Sequence, residues 1–328
     1  MKYIEEFKDF LKTFQALELL DRFDQYNVFY LINDYNSIEA DRLVIDLMRY
    51  DLAAFTQVVQ QLPKPTSLEE AKALYEQVID HTVPCLDPAD GDFIAAGDYR
   101  NILHALVSLS FVLARFFPTY FTPYLYRYMM PQLKQTAQAC EFELPPAPRA
   151  DDWRGRCMYY WDFCEALYRF RLKHDLISAE LWVFLYHFVP MCLPAIDLSD
   201  VPSPTHLWWL GKREAIDEYR NTTLMHLRRT ARKGDLVVRY EATPKQAVTG
   251  FWRVLSDVII DPIDPQYTNC YIGNRFPTPQ LTRAELQADA YFGKHPLRKR
   301  GFLVSDGYRL SEQDLQELLR LLKIDYKP

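Results

Sequence analysis

The hydrophobic pattern changes its period near residue 200. Before that point apolar residues recur at helical spacing. Phe7, Phe10, Leu11, Phe14 and Leu17 fall at i, i+3, i+4, i+7 and i+10, which predicts one amphipathic helix at the start of the chain. Ser67 and Glu70 make a capping box for a helix over TSLEEAKALYEQVIDH. Residues 101–115 read as a strongly apolar, central helix. Residues 153–173 and 178–188 read as two more, joined by the turn HDLIS, and Pro145, Pro146 and Pro148 mark an exposed break between two helical subgroups. No period of 20–50 residues repeats, which argues against a solenoid.

After residue 200 the runs shorten and alternate. Strands are expected at 207–210, 236–240, 248–259 and 268–276, with a helical or irregular stretch between the first strand and about Ala231. Thr282 and Glu285 cap a helix over 282–289, and Ser311 opens a last helix with Leu315, Leu318, Leu319 and Leu322 on one stripe. Glycine follows the same division. Three of the ten glycines (Gly91, Gly97, Gly155) precede residue 200, as expected if helices exclude Gly and turns and bends require it. The expected class is α+β: a helical domain over 1–195 with a sub-boundary near 145–150, a proline-containing linker over 196–206, and a small β-barrel domain over 207–328.

Composition adds three constraints. With 49% hydrophobic residues in 328, a sizeable core is available, and the 15% aromatic content reads as bulky helical packing. The net charge of −6 is unevenly spread. Residues 1–204 carry 18 Lys+Arg against 29 Asp+Glu, and residues 205–328 carry 20 against 15. An acidic body with a basic C-terminal module is the asymmetry of a protein that meets a polyanion with one end; ordinary scatter of surface charge is the alternative. The six cysteines lack Cys-x-x-Cys or matching His spacing, which points to free buried thiols rather than zinc, as in a reducing cytoplasm. The first residues, MKYIEEFKDFLKTF, are acidic and unlike a signal peptide. The apolar run 105–114 is too short for a bilayer. No cofactor and no membrane association is expected, and the location expected is cytoplasmic.

The second part carries an ordered set of short features. LWWLGKR is followed by a polar Asn-Thr-Thr segment, then by Arg-Lys-Gly-Asp and a strand. A strand with Gly250 and Trp252 leads to an acidic Asp-Pro turn, the helix entry PTPQLTRAEL and the basic KHPLRKRGFL. Over about 205–325 this order resembles an EVE domain of the PUA-like superfamily, which also holds the YTH and ASCH domains. The resemblance implies a compact barrel with a pocket for a flipped, often modified base. Helical modules ahead of such barrels are familiar from bacterial defence proteins.

The resemblance and the residues together nominate candidates. Trp209, Lys212, Arg213, Asn221, Thr222, Thr223, Trp252 and Tyr271 are expected around the base, because stacking and a few polar groups recognise a flipped heterocycle. Trp208 and Trp209 are neighbours on one strand and face opposite ways, so at most one lines the pocket. Each aromatic reads equally as core, Lys212 and Arg213 as a solvated turn, and Asn221–Thr223 as a helix cap. Leu224 and Met225 stand where relatives often carry an aromatic, which favours a looser slot. Phosphates are expected at Arg228, Arg229, Arg232 and Lys233, and at Lys294, Arg298, Lys299 and Arg300 beside His295; solvated charge runs are the alternative. In the helical part, Trp153, Arg154, Arg156, Tyr159, Tyr160 and Trp161 interleave rings and arginines and read better as a covered helix.

Catalytic motifs are absent from the sequence. The DPADGDF loop lacks the bidentate Glu of a calcium loop, and Asp257, Asp261 and Asp264 read as a turn with Pro262 and Pro265. The expectation is therefore a non-enzymatic nucleic-acid-binding protein whose helical domain serves assembly or a protein partner. One alternative is a scaffold of a defence system with a vestigial barrel. Another is an ASCH-like amidohydrolase using Lys212, Thr282 and Glu285.

Overall fold

The computed structural model describes residues 2–26, 52–82, 85–86, 93–193, 201–212 and 222–326. The chain divides into a helical unit, Met1–Pro194 with Asp261–Gln266, and a sheet unit, Ala195–Ile260 with Tyr267–Pro328. This is an α+β protein. The charge division survives at these bounds, with 18 Lys+Arg against 29 Asp+Glu in the helical unit and 20 against 15 in the sheet unit.

In the helical unit the Tyr99–Phe116 helix is the core element, with every residue from Ile102 to Ala114 except His104 buried. Its apolar run satisfies burial all round, and Asp98 caps it by accepting the Asn101 N–H. Ser67 caps the Leu68–Gln77 helix as expected by accepting the Glu70 N–H, but Glu70 reaches past the cap residue to the N–H and hydroxyl of Thr66, so the capping box is only half formed. Aromatic rings fill the space against Trp153–His174, and their hydroxyls find acceptors: Tyr75 donates to Cys157 O (2.8 Å) and Tyr160 to Thr122 O (3.0 Å). A two-residue ladder, β1 (Cys85–Leu86) with β2 (Phe93–Ile94), completes the unit's described elements. Cys140, Cys157 and Cys164 are buried free thiols that burial pushes up to about 12. Among the described residues, no helix is long and apolar enough to cross a membrane.

One expected element differs. The first stripe does not continue through Leu17. Helices Lys2–Phe10 and Phe14–Tyr26 are separate, and Phe14 and Leu17 are 81% and 58% exposed. Thr13 causes the break: its hydroxyl takes the Ala16 N–H, which starts a second helix with a new phase.

Among the described residues the sheet unit has seven strands: β3 (Leu207–Lys212), β4 (Thr222–His226), β5 (Leu236–Glu241), β6 (Ala247–Val254), β7 (Ile259–Ile260), β8 (Thr268–Thr282) and β9 (Tyr308–Leu310). Their order is β4-β8-β6-β5-β3-β9, with β7 beside β8; β3–β5 is the parallel pair. The ladder is not closed, so the expected barrel is an open mixed sheet. β4 replaces the expected helical or irregular stretch. Its Thr222-Thr223 pair is β-branched and its burial shows no alternation, so its period is hidden.

Both faces of the sheet carry core. Trp209, Val238, Tyr240 and Phe251 pack with Leu286, Leu297 and Leu318 from the helices on one face. Trp208, Leu210, Met225, Val237, Trp252 and Ile272 pack on the other. Gly211 is required: a Cβ there would sit 2.0 Å from Phe302 O, because Gly211 exchanges backbone hydrogen bonds with Val304.

Candidate nucleic-acid interface

The expected base-pocket residues do not converge. Trp209 and Trp252 belong to cores on opposite faces of the sheet. Trp209 is 0% exposed, and its indole N–H is spent on Phe302 O (2.9 Å). Strand alternation explains this: in β3, position 209 faces the helices and 208 the other core. Trp208 is buried too, and its N–H binds Asp235. Thr223 is buried opposite Ile272, Thr222 is half-buried opposite Gly273, and Tyr271 is half-buried. Lys212 ends β3 in register with Glu241. Arg213 and Asn221 lie outside the described residues.

Trp252 stands in a setting that its sequence neighbours do not announce. It is 3% exposed, and the Arg275 guanidinium lies over its ring, 5.2 Å from the centroid. Arg275 also donates to Thr249 O, and the Thr249 hydroxyl donates to Glu241 Oε1 at 2.9 Å. Lys245 Nζ stands 3.2 Å from Glu241 Oε2. Arg239, fully buried, is opposite Gly250 in the ladder and follows Val237 onto the Trp208 face. Register shifts occur on both strands here, between Arg239 and Tyr240 and between Val248 and Gly250. A bulge bends its strand and re-aims the side chains beside it. The signal in the sequence is charge inside strand runs: Arg239 and Glu241 stand in the apolar β5, and Arg275 stands in β8.

The two basic runs are used differently. In the first, Arg228 pairs with Asp306 (3.2 Å), Arg232 donates to the carbonyls of Arg229 and Ala231, and the Lys233 N–H binds Asp257. That run closes the turn ahead of β5. Asp235 completes it, fully buried, by accepting from Trp208 Nε1, the Thr205 hydroxyl and the backbone N–H groups of His206 and Arg232, all at 2.9–3.0 Å. Burial pushes its carboxyl up, but these donors outweigh burial and hold it below the usual range. In the second run Lys294, Arg298, Lys299 and Arg300 are all exposed. Arg298 caps Gly293 O, while Lys294, Lys299 and Arg300 form no ion pair with a described residue. Arg283 is a neighbour of this run, its guanidinium reaching the turn at Gly301.

His295 anchors the second run. It caps the Pro296–Lys299 helix by accepting the Leu297 N–H at Nδ1, and its Nε2 stands 3.2 Å from Asp314. Asp314 also accepts from Tyr291 and Ser311, and these donors hold its carboxyl well below the usual range despite burial. Thr282 and Glu285, the residues of the hydrolase alternative, are bonded to each other as a helix cap. Among the described residues, no group of three or more His, Cys, Asp or Glu side chains is placed to hold a metal ion.

No family model matches the chain, and no curated protein does. Solved structures match part of it. An NMR structure of a Rhodopseudomonas palustris protein covers 36% of this chain and 94% of its own, at 14% identity and a TM-score of 0.32. The structure of a hypothetical protein from Leishmania major covers 36% of this chain and 94% of its own, at 19% identity and a TM-score of 0.31.

Proposed function

We propose that the protein binds nucleic acid through its sheet unit. Phosphates are held at the second basic run, by Lys294, Lys299 and Arg300 with Arg283 beside them. The observation that carries this reading is that Lys294, Lys299 and Arg300 are exposed with no ion pair to a described residue, whereas in the first run Arg228 pairs with Asp306 and Arg232 donates to backbone carbonyls. Arginine and lysine held out from a folded scaffold, with a net positive charge behind them, gain affinity by releasing counterions from a polyanion.

The base-recognition part of the proposal moves from Trp209 to the Trp252 end of the sheet. Arg239, Glu241, Thr249 and Arg275 supply donors and acceptors suited to a base edge. A flipped, modified base is the ligand that resemblance to an EVE domain implies. Reaching Trp252 requires displacing Arg275 from its ring.

The test uses the full chain and fluorescein-labelled 20-mer DNA, single-stranded and duplex, plain and carrying 5-methylcytosine. Lys299→Gln with Arg300→Gln should weaken binding to every strand. The log–log salt slope should fall by about 1.5, since each lost phosphate contact removes roughly 0.7–0.9. Arg232→Gln should leave the slope unchanged. Binding that is absent, or flat with salt, would sink the reading. Equal affinity for plain and methylated strands would remove its base-specific part.

A further inference from the structure

A groove of about 500 Å³ runs along the helical unit, between residues 141–146 and one face of the Trp153–His174 helix. The chain enters it at Glu141, whose left-handed backbone (φ 55°) ends the Met130–Cys140 helix and turns the next residues along the neighbouring helix. Phe142 meets Phe170 with ring centroids 5.3 Å apart. Together with Ala166 they make an apolar floor, and Pro145 and Pro146 make a wall of fixed φ. The helical side is a stripe at i, i+3 and i+4 spacing, on which Ala166 is the small residue that leaves space.

Apart from Lys173, the charged side chains of the rim without an ion pair to a described residue are acidic. Arg169 is consumed by Glu165, with both Nε (3.1 Å) and Nη2 (2.5 Å) on Oε1. Glu143 and Asp162 line the groove without an ion-pair partner among the described residues. Asp162 is partly shielded: burial raises its carboxyl, Glu165 adds to the rise and Lys72 opposes it. Lys173, the remaining cation of the lining, is eleven residues from Asp162, about 16 Å along the helix.

We infer that this groove docks a basic linear peptide of a partner protein, with a Lys or Arg against Asp162 and Glu143 and an aliphatic side chain on the Phe142–Ala166 floor. Charge complementarity selects that occupant, since an acidic peptide meets two uncompensated carboxylates and a purely polar one leaves the floor wet. The volume is that of an ordinary ligand cleft. The inference concerns the helical unit alone and stands whether or not the sheet unit binds nucleic acid.

Fluorescence polarisation of the full chain tests it, with labelled nonapeptides that alternate Lys with Leu, Glu with Leu, or Lys with Ser. The Lys–Leu peptide should bind at least tenfold more tightly than either counterpart. Ala166→Phe, which fills the space without changing charge, should cost at least tenfold. Asp162→Asn, on an exposed position that does not endanger folding, should cost at least threefold. Glu5→Gln, a carboxylate removed elsewhere on the unit, should change nothing. Failure of the Lys–Leu peptide to bind overturns the inference. So does equal binding of the Lys–Ser peptide, unchanged affinity in Asp162→Asn, or a loss in Glu5→Gln that matches it.

Discussion

Asp235 in the sheet unit and Asp261 in the helical unit are both withdrawn from water, and their surroundings treat the charge in opposite ways. Asp235 is met by four donors, and its carboxyl lies below the usual range. Asp261 accepts from the Tyr124 hydroxyl (2.7 Å) and the Ile263 N–H (3.0 Å), both at Oδ1, while Oδ2 is buried with no hydrogen-bond donor among the described residues. Burial dominates there and raises its carboxyl to about 6, although Arg127, Tyr124 and the Ile263 N–H pull the other way. Asp264, three residues on, shows the Asp235 behaviour. His104 at 3.1 Å, the Gln266 N–H and Arg127 outweigh its burial and hold it low. The balance between burial and its partners sets the direction for each carboxylate: the partners win at Asp235 and Asp264, and burial wins at Asp261.

Three substitutions break or sharpen that contrast. The largest effect is expected from Asp235→Ala. It leaves the indole N–H of Trp208 and two backbone N–H groups without their acceptor, and should cost about 4 kcal/mol in a urea titration. A cost below about 1 kcal/mol would mean that water enters and replaces the carboxylate.

Asp261→Asn should act in the other direction. The folded protein holds the Asp261 proton up to about pH 6, whereas the unfolded chain releases it near 3.8. Stability contributed by this group is therefore complete below that lower value and lost as pH rises through about 6. Asn, always neutral, should escape the loss. The variant should exceed the parent by about 3 kcal/mol at about pH 8 and show no advantage at about pH 4, given roughly 1.4 kcal/mol for each tenfold change in proton affinity. A variant less stable at both values would show that the charge is needed by Arg127.

The smallest effect is expected from Trp208→Phe. It keeps the ring's packing but removes one donor, at about 1 kcal/mol, followed by far-ultraviolet circular dichroism. If it costs as much as Asp235→Ala, then packing of the larger indole, not its hydrogen bond, holds that turn.

The same contrast explains what can be read from sequence. Helices with capping residues and long apolar faces are legible, as at Ser67–Glu70 and residues 101–115, because their signals are local. The change of period near residue 200 is legible through glycine. The roles of Trp209 and the first basic run are not. An indole reads the same whether it faces a ligand or Phe302, and an arginine reads the same whether it meets phosphate or its own turn. Only the fold shows that Trp209 and Trp252 occupy opposite faces of the sheet. For the second basic run the fold adds that Lys294, Lys299 and Arg300 are exposed and form no ion pair with a described residue. The bulged polar group around Arg239 escapes any reading that weighs a strand by its apolar members.

The stretch Asp261–Gln266 lies between β7 and β8 in sequence and belongs to the helical unit, where Arg156 donates to Pro262 O (2.6 Å) and Ile263 is fully buried. During synthesis the helical unit therefore stays incomplete until Gln266 has left the ribosome, long after its last helix has emerged. Until then Tyr124, Arg156 and a hole shaped for isoleucine are open to water or to a chaperone. A nascent chain stalled near residue 200 should be cut by protease more readily than the finished one.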